Sequence, residues 1–262
     1  MAKESAEAPV LVRDDGPVRV ITMNRPDRRN ALDVPLRIAL GDVIEAALAD
    51  PKVRAIVLTG AAHTFCSGGD VSAMGRAAEP EARARVQTVQ RITKALVGCD
   101  IPVIAAVEGA AVGAGLSLAL ACDRVVAATD AKFAGSFTGV GLAADAGILW
   151  SLPRRVGPAA ARQILMFGQR LNSVEALDIG LIDVVVDPQA VFDTALADAY
   201  RIAAGPPLAL ASLKRSFAYP AGDLESALNA EVDIQVKLID SDDYVEGIAA
   251  FKEKRKPVFT GK

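Results

Sequence analysis

Apolar positions recur along the chain in two periods. Val18–Met23 reads as a strand that ends in the turn Asn24-Arg25-Pro26-Asp27, and residues 34–48 carry apolar side chains at helical spacing until Asp50-Pro51 stops them. Residues 53–59 are apolar from Ala55 to Leu58, a second strand, and the loop 60–70 follows. Residues 79–97 predict a charged amphipathic helix. A third apolar run at 102–107 passes through a loop holding Gly109, Gly113 and Gly115 into the helix-like 116–122, and 125–128 makes another short strand. Residues 131–157 show no clean period. Beyond Pro158 the pattern is helical at 159–167, 173–180, 190–204, 206–217, 223–239 and 242–254, with a short apolar strand at 181–186. Residues 1–9 read as a disordered tail.

Strands alternating with helices, then helices alone, predict an α/β core over 1–205 and a C-terminal helical region over 206–262, divided near Gly205-Pro206-Pro207. Two glycine-bearing loops, TFCSGGD and EGAAVGAG, each follow a buried strand, and ligands of α/β folds collect outside the carboxyl ends of such strands. Small residues at a strand-to-helix turn leave N–H groups open to an anion, or to an oxygen becoming one. A dinucleotide loop is excluded, because Leu118 stands where the third glycine of G-x-G-x-x-G belongs.

Charge and composition narrow the chemistry. The 262 residues are 52% hydrophobic but only 5% aromatic, and a net charge of -3 offers no general attraction to nucleic acid. The uncharged run between Glu108 and Asp123 is too short to cross a bilayer, so no membrane partner is expected. The opening MAKESAEAPV has no apolar signal core, so the cytoplasm is the expected location. Cys66, Cys99 and Cys122 are odd in number and far apart, as reduced thiols would be. His63 is the single histidine, which removes most histidine-ligated metals. Arg25, Arg28 and Arg29 crowd one turn and either face solvent or hold a phosphate. Asp145, set among alanines and Gly147, is either a desolvated acid–base group or the cap of the helix that follows. Lys252, Lys254, Arg255 and Lys256 suit either a helix C-terminus or a phosphate contact.

Six ordered segments together resemble the crotonase family, the enoyl-CoA hydratase/isomerase superfamily: MNRPDRRNAL, VLTGAAHTFCSGGDVSAM, IPVIAAVEGAAVGAGLSLALACD, LPRRVG, FGQRLNSVEALDIGLIDVVV and YVEGIAAFKEKRKPVFTGK. The resemblance implies a crotonase-like spiral of ββα units with a C-terminal helical trimerisation region, a homotrimer or dimer of trimers, and an acyl-CoA thioester as substrate with no metal or other cofactor. Carried over by motif, the two backbone N–H groups that grip the thioester oxygen fall on Gly69 and Ala114. Arg25, Ser67 and Asp70 would lie toward the CoA, and Phe251 or Lys254 of a neighbouring subunit toward its nucleotide end.

The pattern breaks at the chemistry. The two glutamates of hydratases fall here on Ser117 and Phe137, neither of which can activate water. The segment GLAAD resembles instead the Δ3,Δ2-enoyl-CoA isomerases and the ring-opening epoxyphenylacetyl-CoA isomerases, with Asp145 at the position of the carboxylate. Leu142, Ala144 and Trp150 are its expected apolar surroundings, and residues 75–91 the expected acyl pocket. One carboxylate suffices for an allylic proton shift, so an enoyl-CoA isomerase with Asp145 as proton shuttle is the expected activity. The alternatives are a hydratase with altered catalytic residues, a dehalogenase- or thioesterase-like enzyme using Asp145 as nucleophile, and a non-catalytic acyl-CoA-binding protein.

Overall fold

The computed structural model describes residues 8–262. The expected tail lies outside these residues up to position 7; Ala8 and Pro9 are held, their carbonyls accepting from Asn24 Nδ2 (3.0 Å) and Asn24 N (2.7 Å).

In chain order the elements are β1 (Val10–Asp15), β2 (Val18–Met23), α1 (Val34–Ala49), β3 (Ala55–Gly60), α2 (Glu79–Gly98), β4 (Val103–Val107), β5 (Ala110–Val112), α3 (Ala114–Leu120), β6 (Arg124–Ala128), β7 (Lys132–Ala134), α4 (Ile148–Leu165), β8 (Arg170–Asn172), α5 (Ser173–Asp178), β9 (Val184–Val186), α6 (Val191–Ala203), α7 (Pro207–Ala218), α8 (Leu224–Ile239) and α9 (Asp242–Glu253). A six-stranded sheet runs β1-β2-β3-β4-β6-β9, antiparallel at the β1–β2 hairpin and parallel thereafter. Every residue of β3 and β4 is buried, which is why these strands read as unbroken apolar runs: both faces of a parallel sheet are covered. α6 packs along β2, β3, β4 and β6, while α1 packs on β1 and β2 and against α2.

A second, three-stranded sheet, β5-β7-β8, leaves the end of β4 after only Glu108 and Gly109. Its strands are three residues each, too short for an alternating pattern to register, and β5 lies inside what the sequence suggests is loop. The segment 131–157, without period in the sequence, holds β7 and the first half of α4. That helix starts at Ile148 and is kinked at Gly157 (φ 76°) ahead of Pro158, so its first half escapes a reading that lets the proline begin the helix.

Candidate active site

The loop TFCSGGD is held from both sides. On one side Leu32 N donates to Gly68 O (2.7 Å) and Asp70 N to Leu32 O (3.3 Å); on the other, Cys66 N donates to Ala110 O (2.9 Å) and Val112 N to Cys66 O (3.0 Å). Short pairings to residue 32 and to β5 thus fix the loop against the start of α3. Gly68 makes this approach possible: its φ is +101°, and a Cβ there would stand 2.8 Å from Val112 O and 3.7 Å from Ala114 N. Asn30, fully buried, secures the same loop, its Nδ2 donating to Ala61 O (3.0 Å) and Thr64 O (2.5 Å) while its Oδ1 accepts from Arg25 N (2.9 Å).

Gly69 and Ala114 line one cavity of about 250 Å³, together with Ser67, Arg37 and Asp145. Neither N–H has a backbone or side-chain acceptor among the described residues. Ala114 opens α3, a helix whose cap Gly113 offers no side-chain acceptor, so its dipole also faces the cavity. Val71, Met74, Val89, Val112, Phe137, Val140 and Leu142 complete an apolar wall. Of the expected acyl-pocket segment 75–91 only Val89 lines this cavity; the remainder of the wall comes from segments distant in sequence, which local composition cannot bring together.

Asp145 is the acidic residue of the lining. The capping alternative fails, because the N-cap of α4 is Gly147 and no side chain caps it. Asp145 Oδ1 is buried without a hydrogen-bond partner, and burial pushes its carboxyl above the ordinary carboxylate range, with Arg37 pulling the other way. The backbone at the aspartate is pinned: Ser117 Oγ donates to Asp145 O (3.1 Å), and Thr93 Oγ1 to Ala146 O (3.0 Å), where φ is 52°. Ser117 therefore acts on the backbone of the loop rather than on solvent, and Phe137 is part of the wall. Trp150 is a correction. Rather than surrounding Asp145, it lines a separate cavity with Lys214 and Phe217, and Arg154 lies over its ring at 4.3 Å from the centroid. Phe137, Val140 and Leu142 share the cavity with Asp145 instead.

The remaining candidates spread outward. Arg25 is engaged within the chain, by Asp70 Oδ2 (3.1 Å), Asp33 Oδ2 (3.2 Å) and Ala31 O (2.5 Å), while Arg28 and Arg29 are exposed. Asp70 also accepts from Ser72 N (3.0 Å), and Ser67 Oγ donates to Arg28 O (3.4 Å). Phe251 is exposed on α9 and lines a different cavity, and Lys254 ends that helix in left-handed conformation. The three cysteines are buried and free, and burial pushes the Cys66 thiol up to about 12. His63 is exposed, its Nδ1 2.8 Å from Glu108. No cluster of metal-ligating side chains occurs among the described residues, and no helix among them is long and apolar enough to cross a membrane.

Arg37 and the apolar wall have no sequence signal of their own. Arg37 is one charge within an amphipathic helix, and only the tertiary structure turns it toward Asp145 and Gly69.

Two open backbone donors, a desolvated carboxylate and an apolar wall can hold a thioester while a proton moves beside it. Known proteins resemble this chain over nearly its whole length. A probable enoyl-CoA hydratase of Rhodobacter capsulatus is 42% identical, over 93% of this chain and 94% of its own. The 1,2-epoxyphenylacetyl-CoA isomerase of Escherichia coli is 36% identical over 94% and 95% of the two chains. The crystal structure of an enoyl-CoA hydratase from Polaromonas superimposes with a TM-score of 0.90 at 37% identity, covering 95% of this chain and 99% of that one. The model of the enoyl-CoA hydratase/isomerase family matches residues 13–262, and the chain belongs to that family of acyl-CoA enzymes, with the crotonase fold.

Proposed function

We propose that the protein is an enoyl-CoA isomerase in which Asp145 carries the proton. The observation that supports this most is that the acidic group of the cavity is desolvated, with Oδ1 free of any partner, on the same cavity as the N–H groups of Gly69 and Ala114. The carboxylate removes a proton from carbon 2 of a 3-enoyl thioester, and the electron pair runs into the carbonyl to give a dienolate. The two N–H groups hold its oxygen. Return of the same proton at carbon 4 leaves the double bond between carbons 2 and 3 and regenerates the carboxylate. Burial raises the carboxyl toward the pH at which it both takes and returns a proton. No metal or redox group enters this scheme. Ser67, Asp70 and Arg25 lie toward the CoA, with Arg28 and Arg29 supplying charge toward its phosphates. In an assembly of trimers, Phe251 and Lys254 of a neighbouring subunit meet its nucleotide end. The cytoplasm is the location that suits this substrate.

Hydration is the second reading, favoured by the name of the Rhodobacter relative and disfavoured by Ser117 and Phe137. Purified protein is given 3-enoyl-CoA and, separately, 2-enoyl-CoA, with Asp145→Ala alongside. Double-bond migration is expected in the wild type and falls about 10²–10⁴-fold in the variant. Hydration that survives in Asp145→Ala would defeat Asp145 as the single catalyst. An acyl or aryl adduct trapped on Asp145 would assign it as a nucleophile, and tight binding of acyl-CoA without turnover would make the protein a binder.

A further inference from the structure

The cavity holds a second charge that the reaction scheme leaves unused. Arg37 leaves the first turn of α1 half-buried; its Nε donates to Leu32 O (3.1 Å) and its Nη1 to Arg85 O (3.3 Å). Both acceptors are neutral carbonyls, whereas a buried guanidinium is ordinarily matched by a carboxylate in contact. Burial accordingly lowers the affinity of Arg37 for its proton, and the charge that does most to offset this is Asp145. The third nitrogen, Nη2, faces the donor loop: a Cβ built on Gly69 would stand 3.5 Å from it. The charged and titratable groups that face Arg37 are Asp145 ahead of α4, Arg85 on α2, Asp33 at the cap of α1 and the Cys66 thiol. Arg37 is the charge that faces Asp145.

We propose that Arg37 is a positioning charge shared by the two anions of the reaction, the Asp145 carboxylate before proton transfer and the enolate oxygen beside Gly69 after it. This rests on the isomerase reading and adds a residue to it. When Asp145 takes the proton it becomes neutral and the negative charge appears on the thioester oxygen. A fixed cation near both places is balanced at each stage, so the transfer does not strand a charge in an apolar cavity. The two carbonyl bonds keep the guanidinium from collapsing onto Asp145, which leaves the carboxylate free to act.

The test compares wild type, Arg37→Met, which keeps length without charge, and Arg37→Lys, which keeps charge. The first readout needs no turnover. In protein labelled with carboxyl-13C aspartate, the Asp145 resonance, assigned by its loss in Asp145→Asn, titrates at higher pH in Arg37→Met and returns toward wild type in Arg37→Lys. The second is migration of 3-enoyl-CoA: kcat falls roughly 10–10²-fold in Arg37→Met and recovers in Arg37→Lys. An unaltered Asp145 titration in folded Arg37→Met overturns the proposal, as does a rate loss that lysine does not restore. Wild type that moves no double bond defeats the isomerase reading, while the titration still decides whether Arg37 acts on Asp145.

Discussion

At the scale of single residues, the site is built from groups that would be more stable elsewhere. Asp145 holds its proton more tightly folded than unfolded, because burial raises its carboxyl. The sign follows: stability falls as pH rises from the ordinary carboxylate range through the raised value, and the whole penalty is present above it. Asp145→Asn removes that ionisation, so at neutral pH the inactive variant is expected to exceed wild type by on the order of 1 kcal/mol, the usual return for relieving a strained functional site. Denaturant unfolding at a series of pH values reads this, and the two proteins should converge below the ordinary carboxylate range. A variant no more stable at neutral pH would show that burial does not penalise the ionised carboxylate. The same balance predicts an acid limb in the pH–rate profile that lies above the ordinary carboxylate range, since only ionised Asp145 can take a proton.

At the scale of elements, the large helices are legible from periodicity and the strands of the parallel sheet from unbroken apolar runs, and the reasons are visible in their burial. The expected limits of β2 coincide with the observed ones, because its apolar residues are buried on both faces of the sheet, and those of α1, α2, α8 and α9 agree to within a residue at each end, because their apolar residues recur at helical spacing. The strands β5, β7 and β8 are not legible because each is three residues long with no apolar run around it, whereas the equally short β9 sits within the apolar stretch 181–186, and β1 is not legible because four of its six residues are exposed. Glycine motifs singled out both loops of the site, but what joins them, the pairing of Cys66 with β5 and the grip of Asn30, is long-range and silent in the sequence. One long-range tie is open to direct test. Lys214 on α7 is buried, and its Nζ donates to Asp123 Oδ2 (2.7 Å), Ile101 O (2.9 Å) and Cys99 Sγ (3.2 Å), while Asp123 Oδ2 also accepts from Val103 N (2.8 Å). The ammonium thereby clamps α7 to the start of β4 and the end of α3. Lys214→Ala strands a carboxylate and two further acceptors, and because Asp123 keeps access to water the expected loss is about 2 kcal/mol rather than the full penalty of a buried pair. Thermal unfolding would reveal it; an unchanged midpoint would show that the clamp is dispensable.

At the scale of the whole molecule, α8 sets the terms. None of its 16 residues is buried, and Leu224, Leu228, Val232 and Val236 form an exposed apolar stripe at four-residue intervals, continued by Ile239. A helix of this length is marginal in water unless an apolar face is packed, and an uncovered stripe of this kind marks an interface. Phe217, Tyr219 and Val245 on neighbouring segments extend the exposed apolar surface. The occupant we expect is further copies of the same chain, so light scattering should give three or six times the 27.3 kDa of one chain. Val232→Lys with Val236→Lys places two charges on the stripe and should drive the assembly toward monomer, with a lower unfolding temperature. Neither Phe251 on α9 nor Lys254 at its C-terminal cap belongs to the lining of the cavity around Asp145. If they serve a neighbour's CoA, dissociation should raise KM for the CoA thioester several-fold while leaving kcat for the assembled fraction unchanged. A wild type that is monomeric at micromolar concentration would remove this account of α8, and a charged variant that stays assembled would move the interface to another face.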